Sequence, residues 1–137
     1  MKQDIPRCVI VVDDALPAGL AANAAAVLAV TVGARTPHVV GADLVDADGG
    51  THPGLIPTGL PVLAAGADAL PALRDRALDA GVDVVDFPAF GQQTTDYEAV
   101  RAHVATVPAA ELRYLGLALQ GSRRAVSRLT GGLALLR

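Results

Sequence analysis

Cys8-Val9-Ile10-Val11-Val12-Asp13-Asp14, followed by Pro17, is the stretch that decides the fold of this 137-residue chain. An unbroken apolar, largely β-branched run has no polar face, so it reads as a central strand buried on both sides. Two carboxylates end it. Pro17 then suits the first turn of a helix, where its missing N–H costs nothing. That helix runs through alanine-rich sequence to Gly33 and carries only two polar side chains, Asn23 and Thr31. A helix apolar nearly all round is expected to be covered on both sides.

Outward from this unit, Thr36 to Gly59 is dense in turn residues. Within it Asp48-Gly49 has hairpin chemistry between two short β-like runs, Val39–Val45 and Thr51–Ile56. Pro61–Ala65 reads as a second core strand. Asp68 is placed to cap a helix containing Leu70, Leu73 and Leu78, which stops at Gly81. Val82–Phe87 reads as a third strand. Thr95-Asp96-Tyr97-Glu98 has the form of a capping box, opening a helix with Tyr97, Val100 and Val104 on one face. After a turn of helix at Pro108, Leu112–Leu119 reads as a fourth strand. Ser122 caps a last helix running to Leu129, ended by Gly131 and Gly132. Strands alternating with helices predict one α/β domain over residues 1–137. The expected architecture is three-layer α/β/α, with a mixed, mostly parallel sheet of about four strands.

The counts exclude several function classes. One cysteine, Cys8, allows neither an internal disulfide framework nor a multi-cysteine zinc site, and its place at the start of a buried strand reads as an inert core thiol. No Trp is present and Phe87, Phe90, Tyr97 and Tyr114 are the only aromatics, which argues against stacking platforms for single-stranded nucleic acid. Eleven basic against fourteen acidic residues give a net charge of -3, so no general attraction to polyanions is expected. Lys2 is the one lysine, and alanine and glycine are abundant, a bias read as that of a high-GC bacterium. Nucleophile elbow, phosphate loop and dinucleotide glycine fingerprint are all missing, so no cofactor is expected. His52 lies among Asp43, Asp46 and Asp48, but without the spacing of a calcium loop or a zinc pair, and reads as part of a polar hairpin tip. His38 and His103 read as loop and helix-surface residues, and no metal site is expected.

The mean hydropathy of +0.42 raises the question of a membrane. Ala15 to Ala34 is 20 residues without a charge, long enough to span a bilayer. Nine of the twenty are alanine, however, and Pro17, Gly19, Asn23 and Thr31 interrupt the run. An export signal fits poorly because Asp13 and Asp14 split the apolar run after Lys2 and Arg7. The expectation is a cytoplasmic domain without a membrane partner.

Asp13-Asp14-Ala15-Leu16-Pro17-Ala18-Gly19-Leu20-Ala21-Ala22-Asn23, together with Arg113 to Leu119 and Leu129-Thr130-Gly131-Gly132-Leu133, resembles an uncharacterised bacterial domain family. That resemblance covers nearly the whole chain and implies the fold of type-2 peptidyl-tRNA hydrolases. The likeness to the hydrolases proper is confined to the first helix, the third strand and the C-terminal strand-helix unit. It implies Asn23 at their glutamine position and Asp86 at their strand-end aspartate. At the hydrolase lysine positions stand Ala18 and Leu20, beside the matching Gly19, and Phe87-Pro88 follow Asp86 where Gly and Thr are expected. The missing lysines remove a cation that would hold phosphate or stabilise a developing oxyanion.

The candidate residues follow from strand ends and charge. Asp13 and Asp14 close the first strand and Asp86 the third, so parallel strands would set them on one rim, where open α/β sheets bind ligands. There they could serve as general base, metal ligands or polar anchors for a substrate amine or hydroxyl, or simply cap the helix and solvate strand ends. Asn23 in a buried helix would need partners, either loop backbone or a ligand. Arg113, Arg123, Arg124, Arg128 and Arg137 fall in a segment with no acid, while the first 112 residues carry a balance of -8. Gly121-Ser122-Arg123-Arg124 at a helix start combines free N–H groups with two guanidiniums, a site for phosphate or carboxylate, or else a solvated helix face. Gln92 and Gln93 are further ligand candidates, while Thr95 is accounted for by capping. Three readings follow: a hydrolase of the peptidyl-tRNA type, with tRNA as partner, or a related amide or ester hydrolase, using Asp86 and Asn23; a module binding a small anionic ligand at Asp13, Asp14, Gly19, Ser122, Arg123 and Arg124; and a homodimeric interaction protein.

Overall fold

The opening apolar run becomes the middle strand of a five-stranded sheet. In the computed structural model, which describes residues 6–137, β1 (Pro6–Asp13) lies between β6 (Tyr114–Ser122) and β4 (Val62–Ala65). The full order is β5-β6-β1-β4-β7, with β5 at Asp83–Pro88 and β7 at Ala134–Leu135. Val9, Ile10, Val11 and Val12 are no more than 1% exposed, and each such burial contributes about 1.5–3 kcal/mol.

The sheet is mostly antiparallel, not mostly parallel. Of the neighbouring strands only β1 and β4 pair in parallel; β6 is antiparallel to both β1 and β5, and β7 is antiparallel to β4. The physical reason lies in the connection. A parallel return needs a helix laid across the sheet, but α3 (Tyr97–Val104) packs chiefly on the 3-10 turn Ala89–Gln92 that precedes it. The chain therefore doubles back, and β6 inserts between β5 and β1. Gly116 permits this close pairing, since a Cβ there would stand 2.7 Å from the Val11 carbonyl oxygen. The fifth strand, which the sequence pattern does not announce, is two residues long and lies beyond Gly132, with Leu136 N–H donating to the Val62 carbonyl at 2.9 Å.

Helices flank both faces. α1 (Ala18–Arg35) covers Cys8, Ile10 and Val12, while α2 (Leu70–Asp79) and α4 (Arg123–Thr130) cover Val9, Val11, Leu117 and Leu119. Pro17 is the residue before α1, not within it. α1 buries one stripe, Ala21, Ala24, Leu28 and Val32, and is not covered on its other side: Val30 is 74% exposed and Asn23 also faces outward. By length and composition α1 could cross a membrane, yet here its apolar stripe packs on the sheet.

Two helix starts differ from expectation. Asp68 sits inside a 3-10 turn, Ala67–Ala69, and α2 begins after Ala69 without a side-chain cap. α3 is capped by Asp96, whose carboxylate accepts from the Glu98 and Ala99 N–H groups at 3.0 and 3.2 Å, which leaves Thr95 uninvolved. Asp96 wins by position: it is the residue immediately before the helix, so its carboxylate meets the second and third N–H groups, while Thr95 lies one residue further out. Ser122 does cap α4, accepting from the Ala125 N–H at 3.1 Å. The hairpin after α1 pairs only β2 (Leu44–Val45) with β3 (Thr51–His52). Its turn is organised by Asp46, whose carboxylate accepts from the Asp48 and Gly50 N–H groups and meets His52 Nε2 at 2.8 Å.

An ion pair ties the end of α1 to the start of β5. Arg35 donates through Nε and Nη2 to both carboxylate oxygens of Asp83, at 3.0 and 2.6 Å. The hydrogen bond from Arg35 holds the Asp83 carboxyl below its ordinary value. A carboxyl depressed on folding stabilises above its unfolded pKa of about 3.9 and loses that contribution as pH falls through the folded value. Thermal denaturation is therefore expected to fall more steeply below about pH 4 for the parent than for Asp83→Asn. Parallel curves would show the pair to be without energetic weight.

Candidate functional site

β5 is an edge strand, and beside it lies a groove of about 720 Å³. α1 forms one wall with Asn23, Val27 and Thr31, spaced four residues apart and so on one helix face. α3 forms the other with Tyr97, Val100, Arg101 and Val104. The bottom is β5, where Val85 and Phe87 turn toward the α1 side of the sheet. Gly91 lets the following turn rest on the Phe87 ring, since a Cβ there would stand 2.7 Å from Cε2.

The polar groups around this apolar surface divide into used and unused. Thr94 Oγ1 accepts from the Asp96 N–H at 3.0 Å, and Arg101 Nη1 donates to both Glu98 oxygens at 3.1 and 3.2 Å. Among the described residues, the side chains of Asn23, Thr31 and Thr95 have no hydrogen-bond partner, and all three line the groove. A smaller cavity of about 370 Å³ shares Pro88 and Val104 with it and holds Gln93 beside the stacked rings of Phe90 and His103, 4.0 Å apart. The Gln92 amide nitrogen is enclosed and has no partner among the described residues.

Of the residues singled out from the sequence, Asp13 and Asp86 come to the same end of the sheet, two strands apart, but the rest disperse. The Asp86 carboxylate accepts from Arg74 Nε at 2.8 Å on the α2 side of the sheet, and the Arg74 guanidinium lies 5.8 Å from the Tyr114 ring centroid. Burial, then the Asp86 charge, pushes the Tyr114 phenol up; Asp86 in turn raises the Arg74 guanidinium. Asn23 belongs to α1, on the opposite side of the sheet. Both residues border the groove, but carboxylate and amide do not converge. Asn23 is also exposed, so the expectation that burial forces partners on it is corrected: the face of α1 that carries it meets no second layer.

Asp13 and Asp14 sit where β1 ends. Asp13 Oδ1 accepts from the Ala15 N–H at 2.9 Å in the turn leading into α1, and Asp14 is exposed. Gly19 is open, with nothing within 4 Å of a Cβ built on it. Ser122, Arg123 and Arg124 lie at the other end of the sheet, because Ser122 pairs with Pro6 at the start of β1. The length of β1, roughly 20–24 Å, separates the carboxylate rim from the basic helix start. One small ligand does not touch both. Arg123 and Arg124 are exposed. Among the described residues no group of three or more His, Cys, Asp or Glu side chains is placed to hold a metal ion. Cys8 is buried, and that burial pushes its thiol up to about 11.

Val27, Thr31, Val85, Val100, Arg101 and Thr95 do not stand out as site residues in the sequence. A signal for part of them exists: the uncharged outer face of α1 and the apolar stripe of α3 both lack a partner helix in the sequence pattern.

A family model described as "Protein of unknown function (DUF2000)" matches residues 6–137. No curated protein matches the chain. A solved structure of a protein of unknown function from Agrobacterium tumefaciens str. C58 is similar, with a TM-score of 0.86 and 22% identity over 95% of this chain and 96% of that one. At that identity the likeness speaks to the fold alone.

Proposed function

The chain belongs to the DUF2000 family of proteins of unknown function, and from that premise we propose that it is a binding module whose groove beside β5 holds a ligand with an apolar body. The observation that carries this reading is the groove itself: about 720 Å³, lined largely by apolar side chains such as Val27, Leu28, Val85, Phe87, Val100 and Val104, with the polar side chains of Asn23, Thr31 and Thr95 left unused. Ligand sites are typically concave, largely apolar and of roughly 300–1,000 Å³, with a few polar groups that set orientation. The cation on the wall, Arg101, is already matched by Glu98, so the ligand needs no charge there.

The helices on both faces support a three-layer reading, which the peptidyl-tRNA hydrolase resemblance also implies. Hydrolysis is the weaker alternative. A general base must reach the proton it removes, and the Asp86 carboxylate is bonded to Arg74 on the face away from Asn23. The anionic-ligand reading loses its joint site through the separation of Asp13 from Ser122.

The test uses N-phenyl-1-naphthylamine, an uncharged apolar fluorophore. The parent protein is expected to enhance its fluorescence saturably, at one equivalent. Val100→Glu places a carboxylate on the apolar wall and should weaken binding by about tenfold or more. Its melting temperature should hold, because Val100 lies on a helix with no buried residue. Equal binding by parent and variant would place the ligand elsewhere.

A further inference from the structure

The geometry points to an uncharged, extended peptide segment as the occupant of the groove, pairing backbone to backbone with β5; this deepens the binding reading above and rests on it. Val85, Asp86, Phe87 and Pro88 all line the groove, four consecutive residues of one strand. Side chains alternate between the two faces of a strand, and the Asp86 carboxylate is held by Arg74 on the α2 side. Consecutive residues can border one groove only if it runs along the strand's edge. There every second residue of β5 turns its N–H and C=O away from β6, toward the groove.

The two edges of the sheet are treated differently. β7 closes one edge with two residues, a length that offers little to pair with. β5 has six, and α3 stands across the groove instead of packing on the strand. Pro88, which lacks an N–H, marks where the edge stops. Four lining residues span about 10–14 Å, room for an added segment of three or four residues.

Charge narrows the chemistry. The carboxylates of β5 are both matched, Asp83 by Arg35 and Asp86 by Arg74, and Arg101 is matched by Glu98. The groove is electroneutral, so a charged side chain entering it would lose water and find no counter-charge. An uncharged segment fits, with alternate side chains packing between Val27 and Val85. A second copy of the sheet does not fit as readily, because α1 and α3 wall the approach to β5.

The experiment uses a degenerate pool of fluorescein-labelled, capped hexapeptides built from Ala, Val, Leu, Thr, Ser and Asn, beside the same pool N-methylated at every residue. Methylation at every residue removes the N–H donors of both peptide edges and leaves the side chains in place. The expected result is saturable anisotropy for the parent pool and at least about tenfold weaker binding for the methylated one. Outward amides of Asp83–Phe87 should also gain hydrogen-exchange protection when the parent pool is bound. Fluorophore binding at the groove with no peptide binding, or with equal binding of both pools, overturns the peptide inference and leaves the groove reading standing. Failure of fluorophore and peptides alike overturns both. A dimer that protects these amides without added peptide overturns the inference in favour of a second copy.

Discussion

Leu117→Ala is expected to lower the stability of this domain by about 2–5 kcal/mol, a large share of what a domain of this size has. Leu117 has no exposed surface and sits on β6 between Val11 of β1 and Asp86 of β5. Its side chain belongs to the cluster with Val9, Leu73, Leu119 and Val126, under both α2 and α4. Strands on either side hold the backbone, so the space left by the lost carbons cannot close, and cavity cost adds to lost burial. The melting temperature should fall on the order of 10 °C. Leu133→Ala, at the half-buried margin of the same cluster, should cost distinctly less. A loss at Leu117 no larger than at Leu133 would mean that β6 is not at the heart of the sheet.

Arg74→Leu is expected to cost about 1–3 kcal/mol, because it leaves the Asp86 carboxylate partly enclosed without its donor. The two side chains are 28% and 26% exposed, so solvent offsets only part of that loss. Asp86→Asn should cost less, since it removes the charge and the need for a cation together. In a double-mutant cycle the two changes should be coupled, the double variant being more stable than the sum predicts. A hydrolase centred on Asp86 gives the opposite pattern: little change in stability, and release of N-acetylaminoacyl groups from tRNA that Asp86→Asn abolishes.

Much of the local structure was legible. β1, α1, the Ser122 cap and the half-buried faces of α2 and α3 follow from periodicity and capping chemistry, which act over a few residues. The errors also have local causes. Thr95-Asp96-Tyr97-Glu98 offers two capping side chains one residue apart, and only the geometry of the helix start chose Asp96. Asp68 has the chemistry of a cap but fell inside a 3-10 turn.

The site was far less legible. Grouping Asp13, Asp86 and Asn23 rests on the premise of parallel strands and a helix buried on both sides. β1 and β5 do run the same way, yet alternation along β5 sends the Asp86 carboxylate to the face opposite α1. The basic helix start at Ser122 fell at the other end of the sheet for a related reason: β6 runs against β1, so its end lies beside the beginning of β1.

By itself, the sequence determined that Cys8–Val12 is a buried strand, that an alanine-rich helix follows it, and that strands and helices are both present in a mixed α/β arrangement. Those are consequences of side-chain period and of turn and cap chemistry, which each segment carries within itself. Only the tertiary structure decided that β6 inserts antiparallel between β1 and β5, that β5 is left at an edge, and that α3 stands off to open a groove there. Strand direction and neighbour choice are settled by backbone pairing between segments far apart in the chain, and a backbone hydrogen bond carries no signature in the residues that make it.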